Sequence, residues 1–99
     1  MLIHIVLIKF KEGTTESQIK ELHENVLQLK ENISGINSIS GGSDVSAEKM
    51  NHDFTYGFVM EFKDLKARDD YLPHPAHQSL VEKYVRPVAA DVLVLDYNI

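Results

Sequence analysis

The chain has 99 residues, no cysteine, and 10 Lys plus Arg against 15 Asp plus Glu, a formal net charge of −5. That length suits a single domain, residues 1–99, with a real but marginal core. The acidic balance and the lack of a basic stripe argue against a phosphate-backbone partner, and the lack of cysteine removes disulfides, thiolate metal sites and thiol catalysis. No apolar run approaches the ~20 residues of a membrane helix, and the apolar start MLIHIVLIKF has neither a basic lead nor a small-residue cleavage site. A cytoplasmic protein with no nucleic-acid or membrane partner is the expectation.

LIHIVLIKF, Leu2 to Phe10, is rich in β-branched residues and reads as a strand. Leu2, His4, Val6, Ile8 and Phe10 take one face; Ile3, Ile5, Leu7 and Lys9 take the other. Both faces are apolar, which calls for cover on both. Thr15 followed by Gln18 forms a capping-box signature. Ile19, Leu22, Val26, Leu29 and Ile33 then recur at helical spacing, with Lys20, Glu21, Glu24, Lys30 and Glu31 opposite. The pattern predicts an amphipathic helix from Glu16 to Asn32, stopped by Gly35.

INSIS, Ile36 to Ser40, is a short strand, and Gly41 and Gly42 read as a turn opening a polar loop to Asp53. FTYGFVMEF, Phe54 to Phe62, alternates: Phe54, Tyr56, Phe58, Met60 and Phe62 share a face opposite Thr55, Gly57, Val59 and Glu61. Asp64 caps a short helix carrying Leu65, Arg68, Tyr71 and Leu72, which Pro73 ends. Pro75 suits the first position of another helix, where its missing N–H is not needed; that helix is expected to reach Val85. Asp91 to Tyr97 is a last strand, apolar on both faces.

The order strand, helix, strand, strand, helix pair, strand is the split ferredoxin-like βαββαβ pattern, an α+β fold with a four-stranded antiparallel sheet. Helices cover one face of such a sheet. Ile3, Ile5, Leu7, Val59, Val92 and Val94 are expected on the other. Burying one such side chain is worth about 1.5–3 kcal/mol, and together they make a patch too apolar for a monomer. A symmetric homodimer, sheet against sheet, resolves the mismatch.

The stretch YLPHPAHQSL, residues 71–80, concentrates the chemistry. If Pro75 begins a helix, His77 lies in its first turn, and Leu80, Val81 and Tyr84 follow on the same face. His77 then points inward, where burial and the helix N-terminus both disfavour its charged form. A neutral imidazole at a cavity is a general base near pH 7. Tyr71 is placed to donate to a carbonyl or enolate oxygen, with His4, His74, Val6, Phe58, Leu80 and Tyr84 as further lining. The structural alternative is that His77 caps backbone groups or packs in the core, with Tyr71 hydrogen-bonded inside it. A mostly apolar groove of roughly 300 Å³ or more would favour binding; a filled core would favour the structural role.

A zinc site from His74 and His77 with His4, His23 or His52 is disfavoured, because Pro75 separates the first two and turns them apart. Any other metal site is left unassigned. No residue singles itself out as a haem ligand, and no cofactor is expected. Gly41-Gly42 is followed by neither a lysine nor a helix start, so it is no phosphate loop.

With HIVLIKFK at the start, YLPHPAH near residue 75 and VLVLDY at the end, the chain resembles the stress-responsive A/B barrel (Dabb) family over nearly its whole length. The resemblance implies a ferredoxin-like protomer paired into a dimeric α+β barrel. Some plant members are linked to stress tolerance or antimicrobial activity. One plant member is a polyketide cyclase closing a linear oligoketide by an aldol reaction, with a tyrosine and a histidine matching Tyr71 and His77 and a pocket histidine matching His4. Leu22, His23 and Val26 stand where that cyclase carries aromatic residues, which implies a different substrate. Two functions follow as expectations: a homodimer binding a small apolar molecule between sheet and helices in a stress-response role, or a cofactor-independent lyase or cyclase.

Overall fold

The computed structural model describes all residues, Met1–Ile99. Strand β1 (Leu2–Phe10) leads to helix α1 (Glu16–Asn32), then to β2 (Ile36–Ser43) and β3 (Tyr56–Phe62). Two short helices follow, α2 (Leu65–Tyr71) and α3 (Pro75–Leu80), with a π-helical turn at Val81–Val85 and the last strand β4 (Ala89–Asn98). All strands pair antiparallel in one sheet, in the order β2-β3-β1-β4. This is the ferredoxin-like arrangement that the pattern of elements predicts.

The helix starts follow their caps. Thr15 Oγ1 accepts from Gln18 N at 3.1 Å while Gln18 Oε1 accepts from Thr15 N at 2.9 Å, so the capping box is complete. Asp64 accepts from Ala67 N at 2.9 Å to start α2. Gly35 has φ +90°, and a Cβ there would sit 2.8 Å from Ala67 Cβ. Glycine therefore serves twice, for the left-handed turn after α1 and for the close approach of α2.

The β2 strand runs past its expected end. Gly41 and Gly42 do not form a turn; they pair with Phe58 and Gly57 inside the sheet. A Cβ on Gly41 would lie 2.8 Å from Gly57 O and Phe58 Cβ, so the glycine marks close strand approach rather than a bend. Phe54 and Thr55, read as strand, precede β3 instead.

The sheet has two unlike faces. Directly paired residues of antiparallel strands share a face. Leu2, His4, Val6 and Ile8 therefore point with Tyr56, Phe58, Met60 and Phe62 toward the helices. Leu22, Val26 and Leu29 of α1 close the core against them, with Tyr71, Leu80 and Val88.

The β4 register corrects one expectation. Val92 and Val94 pair with Ile8 and Val6, so they belong to the helix-side face, not the outer one. The outer face carries Ile3, Ile5, Leu7 and Val59 with Leu93, Leu95 and Tyr97 instead. A strand apolar on both sides does not reveal its own register; only its partner does. Leu93, Leu95 and Tyr97 are 50%, 64% and 47% exposed, so the outer face lacks cover within the chain. No helix is long and apolar enough to cross a membrane.

Candidate functional site

A cavity of about 200 Å³ lies between the helix-side face of the sheet and the α2–α3 corner. Its lining is almost wholly apolar, with three polar side chains among it: His4 from β1, Tyr71 from the end of α2, and His77 from α3. Three separate elements thus deliver the three groups singled out in the sequence.

The corner is held by its own hydrogen bonds. His74 accepts from Ala76 N at 3.0 Å through Nδ1 and caps α3. Pro75 occupies the first turn, and His74 N donates back to Tyr71 O at 3.0 Å. His77 is half-buried, and its Nδ1 donates to Leu72 O at 2.9 Å. A carbonyl can only accept, so Nδ1 carries the proton and Nε2 of the neutral ring carries the lone pair. Burial pushes the His77 pKa down. The Leu72 carbonyl opposes that, and the nearby His4 and His74 rings reinforce it. The balance leaves His77 a neutral acceptor.

Tyr71 is fully enclosed, and its ring lies against His77 with centroids 4.2 Å apart. His4 meets Tyr71 edge-on at 5.8 Å and Phe62 at 5.9 Å. Burial, and then the negative charge of Asp96, push the Tyr71 pKa well above the usual phenol range, which keeps its O–H a donor. His4 Nδ1 is 2.6 Å from Asp96 Oδ1. Arg68 of α2 bonds the other oxygen of Asp96. The Tyr71 hydroxyl, His77 Nε2 and His4 Nε2 have no hydrogen-bond partner in the chain, and none of the three is sealed from the cavity.

Of the residues expected to line the site, His4, Val6, Phe58, Tyr71, His77 and Leu80 do so. His74 does not; its imidazole is spent on the helix cap and borders a shallow surface groove beside Asp64 and Asp70. Tyr84 does not either. At Val81 the helix widens to a π turn, with Arg86 N donating to Val81 O at 2.8 Å. The wider turn carries Tyr84 away from the cavity, to a groove beside Asn25 and Leu29, and brings Val85 over the cavity instead. Val85, Val92 and Val94 escaped sequence reasoning because the π turn and the β4 register are both set by packing. Asp96 left a trace: it is the charged residue at the end of the alternating Val92–Val94 face.

No three His, Asp or Glu side chains gather into a metal-ligating group. More spacious depressions lie elsewhere. One of about 470 Å³ on the outer sheet face is lined by Leu7, Met50, Phe54 and Leu93. Another of about 420 Å³ sits beside Glu16, Lys20 and Tyr56. Neither contains the three converging groups. Leu22 and Val26 are core residues, and His23 is bonded to Tyr56 at 2.9 Å; none of the three lines the cavity.

The fold agrees with what the chain is similar to. Residues 2–99 match the Stress responsive A/B Barrel Domain, and the chain belongs to that family. It is 31% identical over 95 residues to a stress-response A/B barrel domain-containing protein of Arabidopsis thaliana, covering 96% of this chain and 86% of that one. It is 28% identical over 95 residues to olivetolic acid cyclase of Cannabis sativa, covering 96% and 93%. Among solved structures, it superposes on a dimeric ferredoxin-like protein of unknown function from a Jannaschia species with TM-score 0.84 and 27% identity, over 99% of this chain and 98% of that one.

Proposed function

We propose that two copies of this chain pair through the outer faces of their sheets and that each holds one small, neutral, largely apolar molecule in its helix-side cavity, in a stress-response role. The dimer is supported by the uncovered row of Leu93, Leu95 and Tyr97 beside Leu7 and Val59, and by a similar protein described as dimeric. The cavity is smaller than the roughly 300 Å³ at which drug-sized sites begin, so the occupant is compact rather than a long oligoketide. No lysine or arginine lines the cavity. A carboxylate or phosphate would be buried there unpaired, at a cost of several kcal/mol on the order of that for a lone buried ion. Native mass spectrometry of the protein as purified tests both halves, the dimer mass and any retained molecule. A monomer mass overturns the pairing. Phenylacetone observed by saturation-transfer NMR tests the cavity: Val94→Trp, which fills its rim, abolishes the signal, and an undiminished signal overturns the assignment.

The observation that carries a second reading is the set of unpaired polar atoms. A cavity that merely filled space would not aim a phenol and two imidazole nitrogens inward. In this reading the protein is a cofactor-independent lyase or cyclase acting on an enolisable carbonyl compound; one relative is named a cyclase. His77 Nε2 takes the proton alpha to the carbonyl. The C–H electron pair becomes the C=C bond, and the carbonyl π pair moves onto oxygen, where the Tyr71 O–H stabilises it. The resulting enolate attacks an electrophile or is reprotonated by His77. Deuterium exchange at the benzylic carbon of phenylacetone in D2O measures the first step. Exchange that is no faster than in buffer excludes it for this class of ketone.

A further inference from the structure

Asp96 and Arg68 do not enter the proton transfer above, yet they are tied to it. Asp96 lies directly opposite His4 in the β1–β4 register. One carboxylate oxygen holds His4 Nδ1, and the other holds the Arg68 guanidinium. Arg68 stands one turn before Tyr71 on α2, and its Nε donates to Asp69 Oδ1 at 2.9 Å. One carboxylate therefore joins β1, β4 and α2 at the polar end of the cavity. An ionised carboxylate can only accept. His4 must carry a proton on Nδ1, so whenever the ring holds a single proton Nε2 is left as the lone pair. Free histidine in water prefers the opposite tautomer.

We propose that Arg68, acting through Asp96, is a positioning residue that locks His4 in the Nδ1–H tautomer and makes its Nε2 a second acceptor in the cavity. The inference rests on the proton-transfer reading and narrows its substrate class. In this arrangement His77 Nε2 and His4 Nε2 serve as acceptors and the Tyr71 hydroxyl as a donor. The complementary ligand offers one carbonyl oxygen to Tyr71, an acidic C–H to His77 and a hydroxyl to His4, which describes a compact α-hydroxyketone. Hydroxyl recognition by a fixed acceptor is selective, because an analogue without the hydroxyl leaves a desolvated nitrogen unpaired.

The tautomer is read directly from histidine ¹⁵N shifts at a pH where the ring is neutral, with no ligand present. The wild-type protein shows His4 protonated on Nδ1. Asp96→Leu shifts it toward Nε2–H; Arg68→Met, which frees the carboxylate to swing away from His4, shifts it less far in the same direction, and Arg68→Lys restores much of the original signal. Asp69→Asn leaves it unchanged. A wild-type His4 protonated on Nε2, or a tautomer indifferent to Asp96→Leu, overturns the proposal without needing any variant to be active. For ligands, phenylacetylcarbinol binds about tenfold or more tighter than phenylacetone. Arg68→Met narrows that preference. Equal affinities in the wild type overturn the substrate class. Absent proton exchange with a correct His4 tautomer overturns the catalytic reading and upholds the positioning one.

Discussion

Two histidine–tyrosine pairs sit on the helix side of this sheet, and they are built in opposite ways. His23 of α1 and Tyr56 of β3 are hydrogen-bonded to each other at 2.9 Å, ring edge to ring face at 83°. That bond occupies the Tyr56 hydroxyl and His23 Nδ1, and burial pushes the Tyr56 pKa up to about 12. Tyr71 and His77 instead lie ring against ring, tilted by 36°, and neither uses its polar atom on the other. The same two residue types thus give a closed structural contact at one end and an open polar edge at the other. What differs is whether the hydrogen-bonding capacity is consumed inside the fold.

The largest effect that sharpens this contrast is on the open pair. His77→Gln lowers deuterium exchange into phenylacetone by about 10²–10⁴-fold, whereas His23→Gln leaves it unchanged; equal losses in both variants would erase the distinction. Leu95→Asp, on the outer face, converts the dimer to monomer in sedimentation at micromolar concentration, because a paired sheet face would have to bury the new charge. Next in size is the response to acid. Burial lowers the His77 pKa from its ordinary value of about 6.5, so the exchange rate is flat above that pH and falls only at lower pH. The same shift means that the unfolded chain binds the proton more readily. The stabilising contribution is therefore complete above about pH 6.5 and is lost as pH falls through the lower folded-state pKa. Across pH 7 to 5 the melting temperature of the wild type therefore falls more steeply than that of His77→Gln. The smallest effect is on the tyrosine hydroxyls. Tyr56→Phe strands His23 and costs about 1 kcal/mol. Tyr71→Phe removes a buried hydroxyl with no partner in the chain and so does not lower stability, while reducing exchange. Denaturant titration separates the two.

Much of this was legible in the chain. The alternation of β1 and β3, the 3.6-residue period of α1, the Thr15–Gln18 box, the Asp64 cap and Pro75 at a helix start are local rules, and the structure follows them. His4, Tyr71 and His77 stand out because polar rings interrupt apolar faces or sit at a proline corner. His74 shares that corner but is drawn into the cap, since it precedes α3 and its ring reaches the Ala76 N–H first. The glycine pair at residues 41–42 misleads for a related reason: glycine permits a turn and permits close strands, and composition does not separate the two.

The amino-acid order by itself determined which segments become strands and helices and that helices could cover only one face of the sheet, because periodicity and capping act over a few neighbouring residues. It also marked the three rings that line the candidate site. Tertiary structure alone decided that Val92, Val94 and Asp96 face inward, since strand register depends on the partner strand. It likewise decided that the π turn swaps Tyr84 for Val85 at the cavity, and that Asp96 and Arg68 meet at His4 across residues 4, 68 and 96. Those contacts join atoms far apart in the chain, and only packing brings them within hydrogen-bonding reach.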